Sequence, residues 1–157
     1  MRKEIESYLK DQFKQSILPL TDEETATFLI DSGVVADVAS ELKTKGFDHL
    51  SDVTVVDYID EGEFEVIYHL WSHGNRQRLI IKTRIPREKA VIASLAPVWT
   101  SAHMHERECH EMFGIEFEGH DDLTPLLLED WEEMPPLRKD FDSRKYVLEK
   151  FYGGERE

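Results

Sequence analysis

The alternation between residues 53 and 85 most constrains the fold. Phe64, Val66, Tyr68 and Leu70 take every second position, and Leu79, Ile81, Thr83 and Ile85 do the same. A period of two sends successive side chains to opposite faces of a strand. Residues 53–59, dense in Val and Thr, read as a strand before them. Asp60-Glu61-Gly62 and the Gly74 region read as the two turns. Hairpins of antiparallel strands with one buried face carry this signature. Ile67, Trp71 and Ile80 fall on the other face, which predicts that it is partly covered as well.

Helical spacing flanks these strands. Ile5, Leu9, Phe13 and Ile17, with Tyr8 beside them, predict a first helix reaching the Pro19 region. Residues 25–30 read as a short strand. Residues 34–45 form a second helix, with Val35, Val38, Ala39 and Leu42 on one face and Gly46 as its stop. Pro86 ends the last strand and starts a short helix through residues 89–95. Thr100 or Ser101 then caps a helix whose apolar stripe is Trp99, Ala102, Cys109, Met112 and Phe113. Gly114 closes it, since glycine readily adopts the left-handed conformation past a helix end.

Beyond Gly114 no single period fits. Leu126, Leu127, Leu128, Trp131 and Phe141 lie among eight carboxylates between Glu116 and Glu133 and beside Pro125, Pro135 and Pro136. Long irregular segments in compact domains are functional or disordered. Disordered ones are poor in bulky apolar residues. An extended arm lying on a surface, its own or a partner's, fits better. Asp142 or Ser143 caps a last helix with Val147 and Phe151 on one face. The expectation is therefore α+β: an antiparallel sheet covered by helices, then a long extended C-terminal arm. Residues 1–114 form the α+β body, and residues 115–157 form the arm and terminal helix of the same domain.

Charge and cysteine content narrow the function. A net charge of −14 over 157 residues disfavours nucleic acid and anionic membrane surfaces, which are bound through Lys and Arg. One cysteine makes no internal disulfide and fits a cytosolic setting. The charged first residues lack the apolar core of a signal peptide. No window approaches the roughly 20 apolar residues that span a bilayer.

Catalytic patterns are weak. His103, His105, Cys109 and His110 lie close together, with His120 able to approach, and zinc takes N and S ligands. Their spacing matches no established zinc pattern, and Gly114 stands where HExxH needs its second histidine. Glu106, Glu108 and Glu111 around Arg107 can trade protons in a buried site. They equally make surface ion pairs worth about 0.2–0.5 kcal/mol each. A free-standing metal-dependent enzyme built on the Cys109/His cluster is the alternative of another class. Four thiolates for an iron–sulfur cluster are absent.

A resemblance sharpens this reading. Glu106-Arg107-Glu108, Met112-Phe113-Gly114-Ile115, Phe117-Glu118-Gly119-His120, Asp122-Leu123, Leu126-Leu127, Glu129-Asp130-Trp131 and Pro136-Leu137-Arg138-Lys139-Asp140-Phe141 stand in one order. That order resembles the thirty-kilodalton subunit (the C subunit) of respiratory complex I and its relatives in deazaflavin-dependent dehydrogenases and membrane-bound hydrogenases. The likeness extends upstream through residues 46–52 to Arg84-Ile85-Pro86. Cys109-His110 stands where many relatives carry an apolar and an aromatic residue. Thr124-Pro125 and Glu133-Met134-Pro135 replace the usual basic pair and Gly-His.

The resemblance implies a non-catalytic structural subunit on the cytoplasmic side of a membrane, held there by other subunits. Its partners would be the large hydrogenase-like D subunit and the cluster-bearing B subunit. Iron–sulfur clusters and flavin would sit in partner subunits, with no cofactor in this chain. The complex would be driven by NADH or reduced coenzyme F-420 and reduce a quinone or phenazine, with ion translocation. A membrane-bound nickel–iron hydrogenase is the other branch. Glu106, Arg107, Glu108, Phe113 and Gly114 are expected to set the joint. With them, His120, Leu123, Trp131, Pro136, Leu137, Arg138, Lys139, Asp140 and Phe141 are expected to bind the partner.

Overall fold

The computed structural model describes residues 2–20 and 25–153. In chain order the elements are α1 (Arg2–Phe13), β1 (Ile17–Leu20), β2 (Ala26–Ile30), α2 (Val35–Thr44), β3 (His49–Tyr58), β4 (Glu63–Ser72), β5 (Gln77–Pro86), β6 (Val91–Ala93), α3 (Ala102–Phe113), β7 (Glu116–Glu118) and α4 (Ser143–Tyr152). Short 3-10 turns at Lys14–Ser16 and Ser32–Val34 precede β1 and α2.

The alternating segments pair as predicted. β3, β4 and β5 form an antiparallel meander in which Val55, Val66 and Thr83 lie in one cross-strand row. The expectation of a wholly antiparallel sheet is corrected at β2. It lies parallel to β5, with Phe28 opposite Ile81, so the five strands run β1-β2-β5-β4-β3 in a mixed sheet. The chain leaves β2, passes through α2 and builds the β3–β4 hairpin at the far side. It then returns along β2 in the same direction, which only a parallel pairing allows.

One sheet face carries Phe64, Val66, Tyr68, Leu70, Leu79, Ile81 and Ile85, all buried in a single core with Val35, Val38, Leu42, Trp99, Ala102 and Cys109. Fully burying such side chains is worth about 1.5–3 kcal/mol each. Ile67, Trp71 and Ile80 on the other face are half-buried, as expected. The Tyr8 hydroxyl donates to Glu41 at 2.5 Å and joins α1 to α2.

Three further expectations are corrected. The first helix ends at Phe13, because Lys14 takes a positive φ of 48° that breaks the helix, and Ile17 and Pro19 enter edge strand β1. The helix expected over residues 89–95 is strand β6, which pairs in parallel with β7 through Val91 and Glu116. Ser101 stands before α3 but does not cap it with its side chain, since its hydroxyl donates to Leu50 O at 2.9 Å. Gly46 and Gly114 do close α2 and α3 with positive φ, and Asp142 caps α4 by accepting from Lys145 N.

Candidate protein-binding site

Residues 119–142 contain no helix or strand, and they do not project as a free arm. They form a strap held along α3 and the edge of the sheet. The tethers are side chains one helical turn apart on α3. Arg107 donates to Thr124 O (3.1 Å), Thr124 Oγ1 (3.0 Å) and Pro125 O (3.2 Å). Glu111 accepts the backbone N–H groups of Leu126, Leu127 and Leu128 at 3.2, 2.8 and 2.7 Å. A helix face that offers a donor fork and then a carboxylate can satisfy backbone that no secondary structure satisfies.

A second tether lies at the sheet. Asp57 sits at an inward position of β3, its side chain 2% exposed. Arg87 grips it with two bonds of 2.7 and 3.0 Å and reaches Asp140 at 2.8 Å. Asp57 also accepts Lys139 N at 2.8 Å. Arg87 holds the Asp140 carboxyl below the usual carboxylate range. The guanidinium groups of Arg87 and Arg138 lie over Phe64, 5.3 and 5.4 Å from its ring centre, and Phe64 meets Phe113 edge-on. Leu137 N donates to Met112 O at 3.0 Å. Gly114 takes a positive φ of 76° that favours glycine, and a Cβ there would come within 3.1 Å of Pro135 Cγ, a tight contact.

The expected site residues thus divide. Glu106 is fully buried, accepting Ser94 Oγ at 2.5 Å and Leu95 N at 2.6 Å, and burial pushes its carboxyl up to about 7. It sets the α3–β6 joint and offers no outer surface. Arg107, Arg138 and Asp140 hold the strap, Phe113 packs on the core, and Gly114 lets Pro135 approach α3. Leu123 packs on the core, and Pro136 is half-buried. Trp131 and Phe141 turn inward with Tyr146 into an aromatic trio, with ring centres 4.9–5.9 Å apart. Trp131 Nε1 donates to Met134 O. Glu108, Leu137 and Lys139 face solvent. Asp57, Arg87, Ser94 and Glu111 were absent from the expected set, although Asp57 sits on the inward alternation of its strand.

The Cys109-centred metal cluster does not assemble. Cys109 faces the sheet, its thiol 3.6 Å from Val53 O, and burial above all pushes it up to about 12. A zinc ligand is a thiolate. His105 lies 3.6 Å from Asp52, and His110 Nδ1 donates to Ile115 O at 2.8 Å. His103, His120 and Asp121 do bring their ligand atoms within 4.8 Å of one another. His120, however, accepts Asp122 N–H at Nδ1 and donates from Nε2 to His103 O, which leaves it no lone pair for a metal in this arrangement.

Of the nine exposed large apolar side chains among the described residues, six fall between Leu127 and Tyr152. The fold and the strap together define a five-stranded mixed-sheet domain with an irregular segment tethered along α3. The family described as respiratory-chain NADH dehydrogenase, 30 Kd subunit, matches residues 28–147, and the chain belongs to that family. It is 38% identical over 119 residues to the C subunit of the F(420)H(2) dehydrogenase of Methanosarcina mazei, covering 72% of this chain and 73% of that protein. It is 39% identical over 103 residues to the C subunit of the NADH-quinone oxidoreductase of Moorella thermoacetica, covering 65% and 70%. A chain of the membrane-bound sulfane sulfur reductase, an archaeal respiratory membrane complex, superposes with a TM-score of 0.85 at 29% identity. That match covers 99% of this chain and 94% of the other. No helix among the described residues is long and apolar enough to cross a membrane.

Proposed function

We propose that this chain is a non-catalytic structural and assembly subunit in the peripheral arm of a membrane-bound complex I-like enzyme. Other subunits hold it on the cytoplasmic side. It braces the large hydrogenase-like D subunit and the neighbouring B subunit. Electrons pass through clusters and flavin in partner subunits, from NADH or reduced coenzyme F-420 to a quinone or phenazine, coupled to ion translocation. The body runs through β7, with Ile115 and Phe117 in its core, and the strap (residues 119–142) with α4 is the segment that meets the partner.

The observation that carries this reading is the tethered strap. Asp57, Arg87, Arg107 and Glu111 hold an irregular segment in place while Leu127, Met134 and Leu137 stay exposed. Stable interfaces bury about 800 Å² per partner, and a preorganised segment loses little entropy on binding. Leu137 and Lys139, with the exposed α4 residues Phe151 and Tyr152, are the proposed contacts. Phe141 acts beneath that surface, and Trp131, packed against Phe141 and Tyr146, also lines an open cavity beside it.

The test is affinity purification of this chain from its native membranes in mild detergent, followed by mass spectrometry. The expected result is a large hydrogenase-like subunit with cluster-bearing and membrane subunits. Recovery of the chain alone would sink the proposal. A hydrogenase- or reductase-type complex is the second reading, favoured by the likeness to the sulfane sulfur reductase chain over nearly the whole length. The electron-input subunit recovered in the same experiment decides between them.

A further inference from the structure

A cavity of about 260 Å³ opens between the C-terminal turn of α3 and the strap, lined in part by His110, Glu111, Leu128, Trp131, Glu133 and Pro135. Leu128, Trp131 and Pro135 give it half-buried apolar walls. Its polar groups are acceptors. His110 spends its Nδ1–H on Ile115 O, so the neutral imidazole turns only the Nε2 lone pair outward as an acceptor. Glu111 accepts three backbone N–H groups on its carboxylate oxygens. Glu133 is an exposed carboxylate at the rim. The one indole donor, Trp131 Nε1–H, is already given to Met134 O.

Arg107, one cation beside the cavity, is spent on Thr124 and Pro125 O, and the adjoining strap is acidic. Glu129, Asp130 and Glu132 are all exposed on the adjoining strap. The nearby cation Arg138 is engaged by Asp140 at 3.4 Å and by the Phe64 ring. A ligand for this cavity needs an apolar stem to lie on Trp131, Leu128 and Pro135, and a head that donates hydrogen bonds and carries positive charge. Arg and Lys have that form: a methylene stem and a charged donor head. An indole face adds cation–π attraction.

We propose that this cavity seats an arginine or lysine side chain projecting from the protein partner of this chain. This rests on the reading of the chain as a subunit given above. It explains why a strap so rich in carboxylates is held in one shape: the acids are arranged to receive a cation. Opposed charges across an interface fix register and exclude wrong partners.

The test uses the whole complex, purified from native membranes with this chain carrying the tag. Glu133→Lys puts a cation at the rim, and Asp60→Lys makes the same charge change in the exposed β3–β4 turn. Glu133 is exposed, so the Glu133→Lys chain should melt with the wild type. Partner recovery should fall about tenfold or more for Glu133→Lys and stay at the wild-type level for Asp60→Lys. Full recovery with Glu133→Lys would overturn the proposal. So would an equal loss with Asp60→Lys, which would mark a general charge effect. If the wild-type chain recovers no partner, its place in a complex fails, and the cavity's occupant with it.

Discussion

At the scale of single residues, two buried carboxylates do opposite things. Asp57 is paired. Arg87→Ala leaves its charge buried with only the Lys139 N–H, and losing one partner of a buried pair costs about 3–5 kcal/mol. Urea unfolding should show that loss. Arg87→Lys should restore only part of it, because an ammonium cannot fork across both carboxylate oxygens. Glu106 is buried with hydroxyl and amide donors but no cation bonded to it, and burial raises it to about 7. Its folded-state value lies above its unfolded one, so its protonation stabilises the fold. That contribution is full below the ordinary carboxylate range, about pH 4.5, and is lost as pH rises through about 7. The loss is on the order of 3 kcal/mol. Asp48, Asp121, Asp122 and Asp140, all lowered, act in the opposite sense at more acid pH. Melting temperature should therefore fall between pH 5 and pH 8 in the wild type and stay nearly flat for Glu106→Gln. An unchanged slope in the variant would show that another group titrates. Glu106 was legible in the sequence as a conspicuous acid but not as a buried one. It shares the inward face of α3 with Ala102 and Cys109, yet its partners Ser94 and Leu95 come from another element, beyond the reach of helical periodicity.

At the scale of elements, the strap depends on α3. Glu111→Ala removes the only acceptor that the described residues give to the N–H groups of Leu126, Leu127 and Leu128. A hydrogen bond to a charged group contributes about 1.5–3 kcal/mol. Amide exchange at those three positions should quicken by about tenfold or more, while the global unfolding midpoint moves far less, since the core does not pass through the strap. Exchange unchanged from the wild type would mean that Arg107 and Asp57 suffice. The long strands and α2 and α3 were legible because ten or more residues repeat a period. The strands β1, β6 and β7, of three or four residues, were not, since so short a run shows no period. Pro19 hid β1 further, although a proline lacking its N–H is tolerated on an edge strand. The parallel β2–β5 pairing joins residues some fifty positions apart, and nothing local in either strand declares its direction.

At the scale of the whole molecule, the question is which apolar residues serve the fold and which serve a partner. Sequence alone places Trp131 and Leu137 together as contacts. The structure separates them: Trp131 is half-buried against Phe141 and Tyr146, while Leu137 is 55% exposed and Phe151 on α4 is 70% exposed. Different variants should therefore fail differently. Trp131→Ala removes the centre of the aromatic trio and should cost about 1–3 kcal/mol, with faster amide exchange throughout α4. Leu137→Asp with Phe151→Asp exchanges two exposed side chains for charges, which an isolated chain tolerates at little cost in stability. The same double variant should lose the complex, because a buried charge without a partner is costly at an interface. Melting of the isolated chain and recovery of the complex, measured side by side, separate the two roles. If the double variant melts as the wild type does and still brings down its partners in full, the exposed apolar surface of the strap and α4 is not the contact. The acidic cavity beside α3 would then have to hold the complex without it.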